Sequence, residues 1–485
     1  MWVAIELVEG RTIIRQVYEQ IRARIVNGEL AEGERLPSTR LLAKALGVSR
    51  NVVLEAYELL RAEGFTESRQ GAGTYVAGGT YLEKAGAGGE DAPAEGELEL
   101  ELARRELAEA GQGAWPDGAE AIVDFRSGVP ALDRFPRKLW GRLYEQVCAE
   151  TRPEALGYDR PEGRYELRSE LARYLRAARG VVCRPEQVVV TSGATQALTI
   201  AAKLLLAPGA RVLLEDPMIR EVYEIFGQPG TELVPVPVDE DGMNTSLIDP
   251  SERPALIYVT PSHQFPTGGV LPIRRRIDLV RLARASGGYI VEDDYDSEFR
   301  FEGPPISSLQ GLEPDSVIYV GTFSKLLLPS LRLGYMILPP SLVERAREAK
   351  RLSDLHVPSL EQLAMARFMR GGHLERHVAA ARKLYRARRD ALVAALAAEF
   401  GDRAKVRGHL AGIHLVAAFE GIRFTDDLVA SIQERGVRVY PVRAHALSVG
   451  ERENELILGY GNVAEERIRE GIARLRAALD ASESR

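Results

Sequence analysis

The stretch from Gly78 to Ala121 limits what this chain can fold into more than any other feature. It is built mainly from Gly, Ala and Glu and includes Ala85-Gly86-Ala87-Gly88-Gly89-Glu90-Asp91-Ala92-Pro93. So few apolar side chains cannot offset the conformational entropy of ordering the segment. Residues 78–121 are therefore expected to be a flexible acidic linker, holding at most a charged, transient helix over Glu97–Ala110. The chain must then fold as separate units on either side, a division that its 485 residues also favour. Charge follows the same boundary. Residues 1–78 hold 10 Lys/Arg and 10 Asp/Glu, whereas residues 79–121 hold 3 and 11. The linker thus accounts for the formal charge of -7, and whole-chain charge neither supports nor opposes binding to a polyanion.

Composition closes off other classes. With 45% hydrophobic and 27% charged residues, the chain reads as soluble and globular. No basic start leads into an apolar run, and no apolar stretch is long enough to span a bilayer, so a cytoplasmic location and no membrane partner are expected. Cys148 and Cys183 have no metal or disulfide spacing, and no metal site is expected.

Before the linker, the spacing predicts three helices. Thr12 is a plausible N-cap, and Ile13, Val17, Ile21 and Ile25 repeat every four residues. Ser38 caps a second helix that ends at Gly47. Ser49 caps a third, with Val52, Val53, Ala56, Leu59 and Leu60 facing inward and Gly64 closing it. Phe65 to Val76 reads as two short strands around a glycine turn, a β-hairpin wing. Side chains in the first turn of such a third helix suit the major groove, where arginine pairs with guanine and asparagine with adenine. On the residues alone, a DNA-reading module and a small protein-binding module both remain open.

After the linker, strands and helices alternate. Val188–Thr191, Arg211–Leu214, Leu256–Thr260, Tyr289–Asp293 and Val317–Gly321 are candidate strands. The alternation predicts a mostly parallel sheet with helices on both faces, and a smaller C-terminal subdomain beyond about Arg370. The last of these strands runs into Gly321-Thr322-Phe323-Ser324-Lys325, with Arg332 seven residues past the lysine. A lysine in such a turn suits a Schiff base to pyridoxal 5′-phosphate (PLP), whose chemistry also needs a phosphate cup and a carboxylate on the pyridine nitrogen. Ser192-Gly193-Ala194-Thr195 opens a helix after a strand and offers backbone N–H groups to a phosphate. Asp293 at a strand end suits the pyridine nitrogen, and Tyr295 the ring hydroxyl. Each feature alone is commonplace; their joint occurrence in this order points to PLP.

Two resemblances sharpen this reading. Leu36-Pro37-Ser38-Thr39-Arg40-Leu41-Leu42-Ala43, Leu46-Gly47-Val48-Ser49-Arg50, Leu60-Arg61-Ala62-Glu63-Gly64-Phe65 and Gly71-Ala72-Gly73-Thr74-Tyr75-Val76 resemble the winged helix-turn-helix of GntR-type regulators. The resemblance implies that Arg40, Ser49, Arg50, Asn51, Gln70 and Gly71 contact operator DNA. Gly157-Tyr158-Asp159-Arg160-Pro161-Glu162-Gly163, Thr260-Pro261-Ser262-His263-Gln264-Phe265-Pro266-Thr267-Gly268 and Glu292 to Arg300 resemble fold-type I PLP enzymes, the aminotransferase class. The whole chain is similar to the MocR subgroup of GntR regulators.

That similarity implies a winged helix-turn-helix (α+β) over 10–77, the linker over 78–121, and an aminotransferase-like PLP-binding and effector domain over 122–485. The last is a large α/β fold with a small C-terminal α/β subdomain. Lys325 is implied as the Schiff-base lysine, Asp293 on the pyridine nitrogen and Tyr295 on the ring hydroxyl. Gly193, Ala194, Thr195, Thr322 and Arg332 are implied around the phosphate, and Tyr158 as reaching the phosphate of a neighbouring subunit. Members form homodimers, and the better-known ones swap domains head to tail.

Three departures are visible. Met218-Ile219 follows Glu215-Asp216-Pro217 where the family commonly places a ring-stacking aromatic residue. Phe265 stands where aminotransferases commonly carry asparagine. The stretch Asn454 to Tyr460 has no arginine where a substrate-carboxylate clamp is usual. The expected function is a PLP-binding transcription regulator that senses PLP or its adduct with an amine or amino acid, without physiological turnover. The alternative is a PLP-dependent aminotransferase with an accessory DNA-binding domain.

Overall fold

Ahead of the linker, three helices form where the apolar spacing asks for them. The structure, a computed structural model, describes residues 5, 13–26, 29–62, 65–69, 73–77, 122–302, 306–447 and 452–483. The expected linker, the Thr12 cap, the Gly64 stop and the wing residues Gln70 and Gly71 lie outside them. The chain divides into two units, Met1–Trp115 and Pro116–Arg485.

In the first unit, α1 spans Ile13–Val26, α2 Thr39–Leu46 and α3 Arg50–Ala62. The Ser38 side chain accepts the Leu41 N–H at 3.3 Å, as an N-cap should. Gly47 ends α2 with φ 67°, a left-handed conformation that suits glycine. Val17, Ile21, Ile25, Leu42, Val53, Ala56, Tyr57 and Leu60 share one core. Two expected inward residues are corrected. Ile13 at the first turn is exposed, and Leu59 is 44% exposed. At 3.6 residues per turn Leu59 lies roughly 100° from Leu60 around the helix axis. Tyr57 fills the inward face instead and donates to the Pro37 carbonyl at 3.0 Å. The wing strands β1 (Thr66–Arg69) and β2 (Gly73–Val76) pair antiparallel. Residues 33–36 add an unexpected third partner through Leu36 N–H to Thr74 O and Val76 N–H to Glu34 O, both 2.9 Å.

In the second unit, β3 (Val123–Asp124), α4 (Arg137–Glu150) and α5 (Tyr165–Arg179) precede an eight-stranded sheet. Its elements are β4 (Val188–Thr191), α6 (Ala194–Leu205), β5 (Arg211–Asp216), α7 (Arg220–Phe226), β6 (Glu232–Asp239), β7 (Gly242–Met243), β8 (Leu256–Val259), α8 (Ile273–Ser286), β9 (Tyr289–Asp294), β10 (Val317–Thr322) and β11 (Gly334–Ile337). The strand order is β4-β11-β10-β9-β8-β5-β6-β7. Strands β10, β9, β8, β5 and β6 run parallel, while β11 is antiparallel to both neighbours and β7 is antiparallel to β6. Strands β4, β8 and β10 are buried along their length, as covering both faces requires. Alternation sends Ile318 and Val320 towards α6 and α7 on one face, and Val317 towards α8 on the other.

Three further helices, α9 (Val343–Asp354), α10 (Ser359–Arg370) and α11 (His373–Phe400), lead to a four-stranded antiparallel sheet. It contains β12 (Ala404–Arg407) and β13 (His414–Phe419); α12 (Asp426–Glu434) and β14 (Val437–Arg438) follow. Strands β15 (Tyr440–Pro441) and β16 (Glu455–Gly459) complete the sheet, and α13 (Glu465–Glu483) closes the chain. This smaller subdomain is sewn to the beginning of the unit: Val123 and Arg438 lie on paired parallel strands β3 and β14, and Phe125 is fully buried. Among the described residues no helix is long and apolar enough to cross a membrane.

Candidate functional site

The parallel strands deliver their C-terminal ends to one edge of the sheet, where open α/β folds place ligands. Lys325 follows β10 in a turn braced by its own hydroxyls. Ser324 N–H donates to Thr322 Oγ1 at 3.1 Å, and that hydroxyl lies 3.0 Å from Ser324 Oγ. The Lys325 amine is held below its ordinary range by burial, with Arg332 adding to the effect and Asp296 and Asp293 opposing it. A lowered ammonium pKa leaves more of the free amine, the form that attacks an aldehyde.

Asp293 is the next-to-last residue of β9 and is buried. Its Oδ2 accepts the hydroxyl of Tyr258, on the adjacent strand β8, at 2.8 Å. Its Oδ1 is buried with no partner. Burial raises the carboxyl to about 6, against the Tyr258 hydrogen bond and the Lys325 charge. A buried acceptor left open in this way asks for a donor. Tyr295 donates to the His263 carbonyl at 2.9 Å.

The residues expected around a phosphate also converge. Gly193 is the N-cap of α6 with φ 94°, and a Cβ there would come within 2.9 Å of Arg332 Nη2. Arg332 itself is left-handed (φ 47°, ψ 42°) and donates from Nη2 to Ser192 O at 2.8 Å. Ala194 is half-buried and Thr195 exposed at the start of the same helix, with Thr322 buried beneath. Tyr158 is 90% exposed, its ring edge-on to His356.

Sequence reasoning missed several neighbours. Asp354 accepts from Gln196 at 2.8 Å and from Ser192 at 3.3 Å and pairs with the buried Lys350, so α9 braces the cup. Tyr258 carried no signal, since its partner lies 35 residues on. Phe265, singled out as a departure, sits with ring centroids 5.3 Å from His414 and 5.2 Å from His445. Ile219 is 37% exposed beside the buried Met218, whose N–H donates to His445 O. On β16, Ile457 is buried with Val416 and Val442. Glu455 engages both Arg407, on β12, and Arg452, just before β16, at 3.2 Å, so these two arginines are already paired. His263, Asp296 and His414 bring side-chain nitrogen and oxygen atoms within 4.8 Å of one another.

In the first unit, Arg40, Ser49, Arg50 and Asn51 are all exposed, on α2 and at the start of α3. Arg50 Nε donates to Thr39 Oγ1 at 3.3 Å, which ties the first turn of α3 to α2.

Comparison with known proteins agrees with both parts. Residues 121–475 match the family model for aminotransferase class I and II, and residues 13–76 that for bacterial regulatory proteins of the gntR family. A Rhizobium meliloti protein named MocR for rhizopine catabolism regulation is 37% identical over 97% of this chain and 94% of its own length. The pyridoxine biosynthesis transcriptional regulator PdxR of Corynebacterium glutamicum is 31% identical over 97% of each chain. Among solved structures, the kynurenine aminotransferase of Pyrococcus horikoshii, captured with PMP, superposes with a TM-score of 0.70 at 27% identity, covering 80% of this chain and 97% of that one. The α-aminoadipate aminotransferase LysN of Thermus thermophilus gives 0.69 at 29%, covering 78% and 99%.

Fold and sites together define a DNA-binding transcription regulator whose larger part is an aminotransferase-like domain with PLP as its cofactor. The chain belongs to the MocR subgroup of the GntR family. Its residues fit PLP. Asp293 Oδ1 is an open buried acceptor, Lys325 an amine whose pKa burial lowers, and Gly193 with Arg332 a cradle that a side chain at 193 would fill.

Proposed function

We propose that residues 122–485 sense PLP, or its adduct with a small amine or amino acid, and that this state sets how residues 10–77 engage operator DNA across the linker 78–121. The observation that carries the reading is the open Asp293 Oδ1 close to a lysine of lowered pKa, on the same chain as the exposed helix start Ser49-Arg50-Asn51.

When bound, PLP supplies an aldehyde for primary amines and an electron-withdrawing ring. Lys325 is the amine that holds it. Asp293 keeps a proton on the pyridine nitrogen, and Tyr258 fixes that carboxylate by donating to its other oxygen. Gly193, Ala194, Thr195, Thr322 and Arg332 hold the phosphate, and Tyr295 hydrogen-bonds the ring hydroxyl. Tyr158, so exposed in a single chain, completes the phosphate site of a second copy in a homodimer, which also presents two DNA-reading units to two half-sites. Arg40, Ser49, Arg50 and Asn51, with Gln70 and Gly71 of the wing, contact that DNA. Ile457 and the paired Arg407 and Arg452 leave no clamp for an amino-acid carboxylate on β16, which favours sensing over turnover.

The test measures binding of the full chain to the DNA upstream of its own and neighbouring genes, with and without PLP, alongside the visible absorbance of the Lys325→Ala variant. The expected result is specific retention that changes with PLP, and loss of the absorbance band in the variant. Retention no better than on random DNA overturns the proposal. The aminotransferase reading, favoured by the structural neighbours, predicts multiple turnovers with some amino acid and 2-oxo acid pair.

A further inference from the structure

One buried polar cluster is used neither by the phosphate cup nor by Asp293, and it lies against Tyr295. His263 comes from the loop after β8, Asp296 from the turn after β9, and His414 opens β13; they are 2%, 1% and 1% exposed. His263 Nδ1 is 3.0 and 3.2 Å from the two carboxylate oxygens of Asp296, and its Nε2 is 3.2 Å from the Gly408 carbonyl oxygen. Carbonyl and carboxylate oxygens only accept. A neutral imidazole has one N–H and satisfies one of these contacts; both need a proton on each nitrogen.

The surroundings make that charge tenable. Asp296 sends both oxygens to this one nitrogen, so the pair is neutral overall, which a buried charge requires. Gly412 (φ 78°) closes over it: a Cβ there would meet His263 Cε1 at 2.2 Å and Asp296 Oδ2 at 2.5 Å. The Tyr295 hydroxyl lies 3.2 Å from the same Nδ1 while donating to the His263 carbonyl at 2.9 Å. The other groups facing the ring are Arg300, which opposes its charge, and His414, 4.9 Å away centroid to centroid. His414 Nε2 contacts Pro266 O at 3.1 Å, and burial with the neighbouring His263 holds its proton affinity well below the ordinary histidine range. Burial alone would lower His263 too, but the Asp296 charge and hydrogen bond outweigh it and raise it.

We infer that His263 is held as an imidazolium by Asp296 and acts as a positioning residue: its Nδ1–H faces the Tyr295 oxygen, so that Tyr295, on turning its one proton from the His263 carbonyl to the cofactor's ring oxygen, favours the anionic form of that oxygen. This rests on the assignment of Tyr295 to that oxygen. It gives a role to His263, which the phosphate and pyridine contacts leave unexplained.

The experiment is a pH titration of the visible absorbance of the PLP-loaded full chain. His263→Gln removes the cation and strands Asp296, so the titration midpoint rises by about one unit, a tenfold gain in proton affinity. His263→Gln combined with Asp296→Asn removes both charges and returns the midpoint to within about half a unit of the parent. Equal midpoints in parent and single variant, or a shift that the double variant does not reverse, overturn the inference. Where the variants do not hold PLP, 15N-imidazole NMR of the unaltered protein decides. The chain has seven histidines, so the resonance lost in His263→Gln assigns itself. A doubly protonated ring from pH 6 to 8 is expected; a neutral tautomer, or stoichiometric zinc in the purified protein with Nδ1 on the metal, overturns it. Failure of the cofactor reading itself shows separately, as an absorbance band that survives Lys325→Ala.

Discussion

At the scale of single residues, the site is an exercise in leaving the right atoms open. Asp293 has one oxygen satisfied by Tyr258 and one buried and free, and its carboxyl is raised to about 6, by burial first. The charged form is the one that holds a protonated pyridine nitrogen, so PLP affinity is expected to fall as pH drops through about 6. The Tyr258 hydrogen bond favours the charged form. Tyr258→Phe should therefore raise the Asp293 carboxyl further and move the midpoint of this loss upward in a spectroscopic titration of PLP binding. An unmoved midpoint would show that Tyr258 does not govern Asp293. The lysine, aspartate and arginine of this group were legible in the sequence because each stands in a distinctive local run. Tyr258 and Asp354 were not, because their partners come from a neighbouring strand and from a helix about 160 residues away in the chain.

At the scale of elements, local rules carry far but stop at the faces of helices. Ser38 and Gly47 bound α2 as their residue types require. Ser38→Ala should cost the first unit about 1 kcal/mol, read as an earlier unfolding transition of that unit in the full chain. Strands β4, β5, β8, β9 and β10 were legible because apolar, β-branched runs bounded by turns have few alternatives, whereas β3, β6, β7 and β11 of the same unit were not foreseen. Leu59 was placed inward together with Leu60, although adjacent residues point roughly 100° apart around a helix; Tyr57, amphipathic and able to reach Pro37, holds the face instead. The pairing of residues 33–36 with the wing was invisible, since Ala31 to Leu36 carry no strand pattern of their own.

At the scale of the whole molecule, two units with separate cores predict separable effects. Arg50→Ala should weaken specific DNA binding by about 10- to 100-fold, from a loss of about 1–3 kcal/mol, and leave the PLP absorbance unchanged. A changed spectrum would contradict that independence. Within the second unit, β3 ties the start of the unit to its C-terminal subdomain, with Phe125 fully buried behind it. Phe125→Ala should destabilise this unit by about 3–5 kcal/mol in thermal or denaturant unfolding while the transition of the first unit stays in place. By itself the sequence pointed to two units on either side of a linker, to five strands of the large sheet, to the family, and to residues whose identity suits a phosphate turn, a ring carboxylate and a reactive lysine. These follow from short-range chemistry: caps, turns, and apolar runs with one workable period. Only the tertiary structure decided that β3 pairs with β14, that Tyr258 holds Asp293, that Glu455 occupies Arg407 and Arg452, and that His263 and Asp296 meet beside Tyr295. Such contacts join residues tens to hundreds of positions apart, and their pairing is set by strand order and packing, which no local run of side chains encodes.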